Sequence, residues 1–451
     1  MNSRKVKKVS FKKRYWELSF PLILQNLFQL SLQHIDLMMV GQRGLFAVAG
    51  VGLMNSLYLI FMMIFVAFAF SLFPLLTQLY GSKEKQEYDT LVTRGFQICF
   101  LLGLLLIPLF YFLAQWACQS YELDHASQKA AMDYARGLCW SLPFLGASIV
   151  LESALRAAAL NALELKMKGL VLALNTILNA CLIFGLGAFP NWGAFGAGFA
   201  TSVSRMIGVL FILALCAKKD LLPFSLPLFT KGTIRKDLKE QLIRYAKILI
   251  FQDILWSLAI FLYARSFSSY GSEVLAIYNL IYLMDRMADS VLMALSWSAG
   301  TLIGQDLGNE KLNRAWIRSR QCMKSCLKHS IWVILLLFLV TPVVFWVYSI
   351  NYFDAILFLQ LLGVHCLVLP IKSLGMVVLI GILRSGGDHA YSAAVELGLM
   401  YFFSVPACLL AALYFYFPPV IPYLMIQLEW VLKTILLSRR HRSKKWVRKL
   451  V

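Results

Sequence analysis

Between Pro21 and Gly44 the sequence reads PLILQNLFQLSLQHIDLMMVGQRG, a stretch apolar enough to cross a bilayer in which Gln25, Gln29, Gln33 and Asp36 recur at spacings of four, four and three. At about 100° per residue these side chains share an arc of about 80° on one helix face, while Leu22, Leu30, Leu37 and Met38 lie elsewhere. A carboxylate in hydrocarbon costs about 2.5–3.5 kcal/mol on insertion scales, so it is kept where it meets water, a partner or an ion. The chemistry on offer is cation binding on the wet stripe of a membrane helix. A plainer reading makes Asp36 an interfacial carboxylate, because Gly41-Gln42-Arg43 follows closely.

A second stripe holds Tyr278, Tyr282, Asp285 and Asp289, within an arc of about 60°, near the middle of an apolar run over 274–304 that also contains Arg286. Charges at that depth must face inward, and tyrosine rings beside carboxylates suit a lipophilic cation. The competing reading pairs Arg286 with Asp289 at i, i+3 and leaves Asp285 unmatched. Lys372 stands about 16 Å inside the end of its span by helical rise, too deep to snorkel. It is expected to act as a counter-charge to Asp253, Asp285 or Asp289 that lets go when a cation binds, or as a group that titrates during the cycle. Asp253 shares a face with Trp256 and Ser257. Asn175 and Asn179 stack on one face of a further span and Thr201 follows on the next. These are oxygen ligands for a hard cation or hydrogen-bonding glue between helices.

The elements that position these groups are membrane helices. Of 451 residues 60% are hydrophobic and 15% charged, against about 45–50% and 25% in soluble proteins; mean hydropathy is +0.70. Twelve apolar runs, the first at 16–40 and the last at 418–438, are long enough to span. If the N-terminus is cytoplasmic, 36 of the 43 Lys and Arg fall in cytoplasmic segments when Lys433, near the end of the last run, is counted with the C-terminal tail. The positive-inside rule therefore puts both termini in the cytoplasm. The net charge of +20 then reports topology and contact with anionic lipids rather than nucleic acid. No secretory signal peptide is evident. The nine cysteines show no CxxC pairing and read as packing residues.

The chain repeats itself. Gly44–Gly81 and Gly271–Gly308 enclose spans of equal length at an offset of 227; the same offset pairs Gln25 with Gln252, and an offset of 228 pairs Arg156 with Arg384. This predicts an all-α fold: an N-lobe over 1–222 (spans one to six), a cytoplasmic linker over 223–234 within the basic stretch Lys218–Lys239, and a C-lobe over 235–451 (spans seven to twelve). With six spans each, the halves keep one orientation and form parallel repeats around a central cavity, suited to alternating access.

In order and spacing, HIDLMMVGQRG followed by AVAGVG, NTILNACLIFG with NWGAFGAGFATSVSR, FQDILW, LIGQDLGNEK and LRSGGD resemble the multidrug and toxic-compound extrusion (MATE) transporters over nearly the whole chain. The resemblance implies two six-helix lobes that export organic, often cationic, compounds in exchange for Na+ or H+. It implies that Asp36, Asn175, Asn179 and Thr201 surround a coupling-ion site, with no other metal and no cofactor, and that Asp253 matches an acid of span seven. Some relatives carry aspartate where Asn179 stands, and several sodium-coupled ones carry aspartate near Lys372. The first departure argues against a carboxylate-pair proton site; the second puts in doubt a C-lobe sodium site. The Tyr278–Asp289 stripe rests on periodicity alone.

Other polar residues read as structural: Glu152 pairing with Arg156, Arg205, His34 in packing and Asp388 as an N-cap; Glu396 reads either as snorkelling or as functional. No triad or metal cluster is built, so an enzyme is not expected. The reading is a monomeric plasma-membrane antiporter for multidrug efflux, with cargo between the lobes against Gln25, Gln29, Gln33, Tyr278, Tyr282 and the acids. Competing readings are a flippase for a lipid-linked saccharide or lipid precursor, which would want a basic cavity, a membrane-embedded transferase, and a channel.

Overall fold

The computed structural model describes residues 10–120, 124–187, 189–217, 232–348 and 350–451, in which no strand occurs. Most of the linker assigned to 223–234 lies outside them, as do the side chains of Gln33 and His34. The apolar runs become helices because hydrocarbon leaves backbone groups no partner but each other. In the first half these are α1 (Phe11–Gly41), α2 (Leu45–Ser82), α3 (Lys85–Ser120), α4 (His125–Leu138), α5 (Ser141–Ala157), α6 (Asn161–Phe184) and α7 (Gly193–Ala217). In the second they are α8 (Lys236–Ser268), α9 (Ser272–Gly308), α10 (Leu312–Tyr348), α11 (Tyr352–Met376), α12 (His389–Leu399), α13 (Val405–Leu409) and α14 (Val420–Arg442). Helices α4 and α5 follow one another as a single apolar segment with a 50° bend between them. Wide π turns over Val377–Leu383 and Met400–Ser404 prolong α11 and join α12 to α13. Counted so, the described residues form twelve helical segments long enough to cross a bilayer. Among the described residues nine helices and the bent pair are apolar enough to cross a membrane; α1 and α9, which carry the two polar stripes, are not among them.

The repeat is visible in the backbone. Gly44 and Gly271, 227 apart, open α2 and α9 at φ of 120° and 105°, a conformation closed to most side chains. Lys83 and Glu310, again 227 apart, adopt φ of 65° and 55°, and Ala159 and Gly387, 228 apart, 63° and 75°. The same turns recur at the same places in each half.

The helices gather into two compact units, one of residues 24–246 and one of 247–451 together with the chain up to Ile23. The first turns of α1 thus belong with the second-half helices: the Tyr15 hydroxyl donates to the Leu295 carbonyl at 2.8 Å and Trp16 stacks on His329 at 5.0 Å. In the 24–246 unit, α4 and α7 touch through glycine. A Cβ at Gly198 would come within 2.3 Å of the Tyr134 carbonyl, and one at Gly137 within 2.5 Å of the Phe199 nitrogen. Such close approach is how membrane helices gain contact without a hydrophobic drive. Gly198→Ala is expected to cost about 1–3 kcal/mol by overpacking, read as a lower melting temperature in detergent. Gly52→Ala, where a Cβ meets nothing within 4 Å, serves as the tolerated control.

Candidate functional site

Asp36 lies one turn from the C-terminal end of α1 and is buried at 2% exposure. Two neighbouring helices supply its partners, because i, i+4 spacing points Asn175 and Asn179 from one face of α6 and α7 packs against that face. The Asn179 amide donates to Asp36 Oδ1 at 2.5 Å and the Thr201 hydroxyl to Oδ2 at 3.0 Å. Asn175 Nδ2 donates to Thr201 Oγ1 at 3.1 Å, and Asn179 Nδ2 to Asn175 Oδ1 at 3.2 Å. All four side chains are buried, and the Asn179 side-chain carbonyl oxygen, Oδ1, has no partner among the described residues. One negative charge thus sits among neutral oxygens. An asparagine amide turned by half a rotation presents oxygen in place of nitrogen, so the cage can hold a bare carboxylate or a hard monovalent cation. Among the described residues no group of three His, Cys, Asp or Glu could hold a metal ion.

Below this cage the stripe of α1 continues. Gln25 Nε2 donates to the Asn161 carbonyl at 2.9 Å, and Lys168 Nζ reaches Gln29 at 3.5 Å. Gln29 borders a water-sized hollow of about 20 Å³ with Glu152, Lys168 and Arg205. Arg205 also lies 5.8 Å from the Tyr58 ring. The Glu152–Arg156 pair is part of a larger network. Arg156 is held from both oxygens of Glu164, at 2.5 Å for the closest contact, with Glu152 at 3.5 Å, and Lys168 takes Glu152 at 2.8 Å. Glu164 is fully buried, so Glu164→Gln strips Arg156 of its main counter-charge. A loss of about 3–5 kcal/mol is expected, as for other broken buried pairs, seen as a lower melting temperature and recovered in part by the Glu164→Gln/Arg156→Met double variant.

The second-half unit carries a denser set. Lys372 of α11, 2% exposed, reaches Asp285 at 2.5 Å and Asp289 at 2.7 Å, with His365 Nε2 3.6 Å from Asp285. Arg286, matched to Asp289 by spacing, is exposed, and Asp289 takes the lysine instead. Tyr278, Tyr282, Asp285, Asp289 and Lys372 line a cavity of about 70 Å³ with Trp256, Trp430, Glu429 and Lys433. The Trp430 ring separates the two lysines, 5.3 Å from Lys372 Nζ and 4.5 Å from Lys433 Nζ. Lys433 pairs with Glu429 at 2.5 Å and lies 3.8 Å from Glu396. Glu429 also accepts from the Tyr263 hydroxyl at 3.0 Å and from Ser404.

Several residues fall otherwise than their spacing indicates. Helix α8 turns Gln252 into the polar network, where it donates to Glu396 at 2.6 Å, while Asp253 is half-buried near the Arg384 and Glu396 charges with no ion pair among the described residues. Glu396, read as snorkelling or as functional, is 7% exposed and 3.7 Å from Arg384. Asp388 does not cap α12 with its side chain, because Arg440 holds both its oxygens at 2.6 and 3.1 Å. Glu429 and Lys433, an i, i+4 pair, were hidden beside the basic run from Arg439 onward.

Compared with known proteins, residues 21–181 match the MatE family model. The probable multidrug resistance protein NorM of Listeria monocytogenes is 24% identical over 44% of this chain and 43% of its own length. The uncharacterized transporter YisQ of Bacillus subtilis is 24% identical over 96% of this chain and 95% of its own. Among solved structures, an outward-facing multidrug resistance MATE family transporter superposes with a TM-score of 0.85 at 16% identity, covering 96% of this chain and 97% of that one. A MOP superfamily transporter from Pyrococcus furiosus, described for the reverse polarity of its binding pocket, gives 0.85 at 16% identity over 96% of each chain. At these identities the structural likeness speaks to fold alone.

Proposed function

We propose that this chain, which belongs to the MATE family of membrane transporters, is an antiporter of the plasma membrane that exports amphiphilic organic cations against inward Na+ flux. The observation that carries the reading is the buried cage of Asp36, Asn175, Asn179 and Thr201, with its unpartnered Asn179 carbonyl oxygen. A single carboxylate ringed by neutral oxygens suits a monovalent hard cation. Proton coupling through paired acids has no second carboxylate here to use. When Na+ enters, the Asn179 amide turns its oxygen inward and its bond to Asp36 is exchanged for a metal contact. Such an ion shifts the balance of inward- and outward-facing states only by its differential affinity for the two.

For cargo the supporting feature is the second-half cavity, where Tyr278, Tyr282 and Trp430 surround Asp285 and Asp289. Lys372 occupies those carboxylates as a built-in cation, and an organic cation takes its place. A flippase for pyrophosphate-bearing lipids would need several cations to spare, whereas Lys372 and Lys433 each sit against carboxylates and, of the cations lining the cavity, Arg286 alone has no ion pair among the described residues. The distribution of Lys and Arg supports cytoplasmic termini. The test is efflux of a fluorescent organic cation from proteoliposomes. An imposed Na+ gradient is expected to drive it and a pH gradient without Na+ to leave it at leak level; the reverse outcome would move coupling to protons.

A further inference from the structure

Away from the cage and the cavity, a groove of about 420 Å³ opens between the first turns of α10 and the end of α14, lined by Trp316, Arg320, Lys324, Leu327, His441 and Arg442 among others. Its cations stand out by what they lack. Nearby Arg314 and Arg318 pair with Asp306, Arg440 with Asp388 and Lys449 with Glu310. Arg320, Lys324 and Arg442 are exposed and, among the described residues, have no acid within ion-pair distance. Three like charges around one hollow repel each other unless an anion joins them.

The wall is built rather than loose. Trp316 stacks on His441 at 4.5 Å, and Ser319 Oγ lies 2.8 Å from His441 Nε2. Trp446, fully buried, donates to the His441 carbonyl at 3.1 Å, and Arg448 ties the tail to the Gly386 and Gly387 carbonyls at 2.8 and 3.1 Å. The groove also has a direction. Arg320, Lys324, Leu327, Ile331 and Phe338 follow one another on one face of α10 within an arc of about 60°, and all are exposed. That face begins with guanidinium and ammonium groups and continues as hydrocarbon. Helix α10, at about 55 Å by helical rise, exceeds the ~30 Å hydrocarbon layer, so its first turns stand in the headgroup region.

We propose that the groove holds one anionic phospholipid, its phosphodiester on Arg320, Lys324 and Arg442 and an acyl chain along Leu327, Ile331 and Phe338. The charges call for a phosphate oxyanion, and the exposed apolar lane below them calls for a tail, which a free anion does not have. Basic pockets at the cytoplasmic ends of membrane helices are where anionic headgroups are expected to settle. The site rests on the cytoplasmic placement of the C-terminus proposed above, and is independent of the cargo and the coupling ion.

The test is native mass spectrometry of the full chain released from mixed phosphatidylglycerol and phosphatidylcholine. Wild type is expected to retain one phosphatidylglycerol per chain. The triple variant Arg320→Gln/Lys324→Gln/Arg442→Gln should lose it at least 10-fold, Lys324→Gln alone should lie between, and a control with three other exposed cations changed, Lys12→Gln/Lys85→Gln/Lys239→Gln, should behave as wild type. Equal retention by the triple variant and the control overturns the site. So does displacement of the lipid by millimolar inorganic phosphate, which would mark a pocket for soluble anions. Labelling of a C-terminal cysteine in intact cells reports the topology separately, so a wrong orientation and a wrong site give different results.

Discussion

Asp36→Asn is expected to abolish Na+-driven export while leaving the protein folded. The carboxylate is the sole charge in its cage, and without it Na+ meets only neutral oxygens in a buried site. A drop of at least about 100-fold in Na+ affinity follows, about 2.7 kcal/mol. The fold should survive, because the introduced amide still accepts from Thr201, and Asn179 can turn its free oxygen toward the new donor. Thr201→Val keeps the charge and removes one ligand, so a loss of about 10-fold is expected, the scale of a single hydrogen bond to a charged group. Efflux at saturating and limiting Na+ separates the two variants: Thr201→Val recovers with more Na+, Asp36→Asn does not.

Lys372→Met has the second large effect, first on stability. Removing the ammonium leaves Asp285 and Asp289, 2.5 and 2.7 Å from it, facing each other with no cation in contact. A loss of about 3–5 kcal/mol is expected, the cost of breaking a buried pair from one side. It should be largely recovered in Lys372→Met/Asp285→Asn/Asp289→Asn, where no unmatched charge remains. The same substitution reports on cargo. If an organic cation replaces the lysine, a lipophilic cation such as tetraphenylphosphonium should bind Lys372→Met at least about 10-fold tighter than wild type and raise its melting temperature more. A variant destabilised but indifferent to the cation would make Lys372 purely structural.

The periodicity of an α-helix carries much of this arrangement. Gln25, Gln29 and Asp36 on one face of α1, and Asn175 with Asn179 on one face of α6, follow from residue spacing alone. Their meeting across helices came from the resemblance, since nothing in single-helix periodicity says which faces touch. The recurrence of Gly44 at Gly271 was legible because a glycine at the mouth of a long apolar run serves one backbone conformation. Other features were illegible for identifiable reasons. The central part of α8, residues 248–263, is apolar nearly all round, so no amphipathic contrast decides whether Gln252 or Asp253 faces in; neighbour packing decides it, one residue or about 100° away. Arg156 finds Glu164 across a tight turn through Ala159, eight residues on, a spacing with no helical signature. Lys433 counts with the basic tail by sequence, yet folds inward against Glu429 because Trp430 and Ser404 build a polar interior there. That the chain up to Ile23 belongs with the second-half helices leaves no mark in an unbroken apolar run.

The coupling mechanism stands most directly on whether the Asp36 cage binds the ion. Equilibrium binding of radioactive sodium to the purified chain measures this without substrate, lipid gradient or transport. Saturable binding of one ion per chain is predicted for wild type and for Lys372→Met, with none resolved for Asp36→Asn. Undiminished binding by Asp36→Asn, or no saturable binding by the wild-type chain, would contradict it.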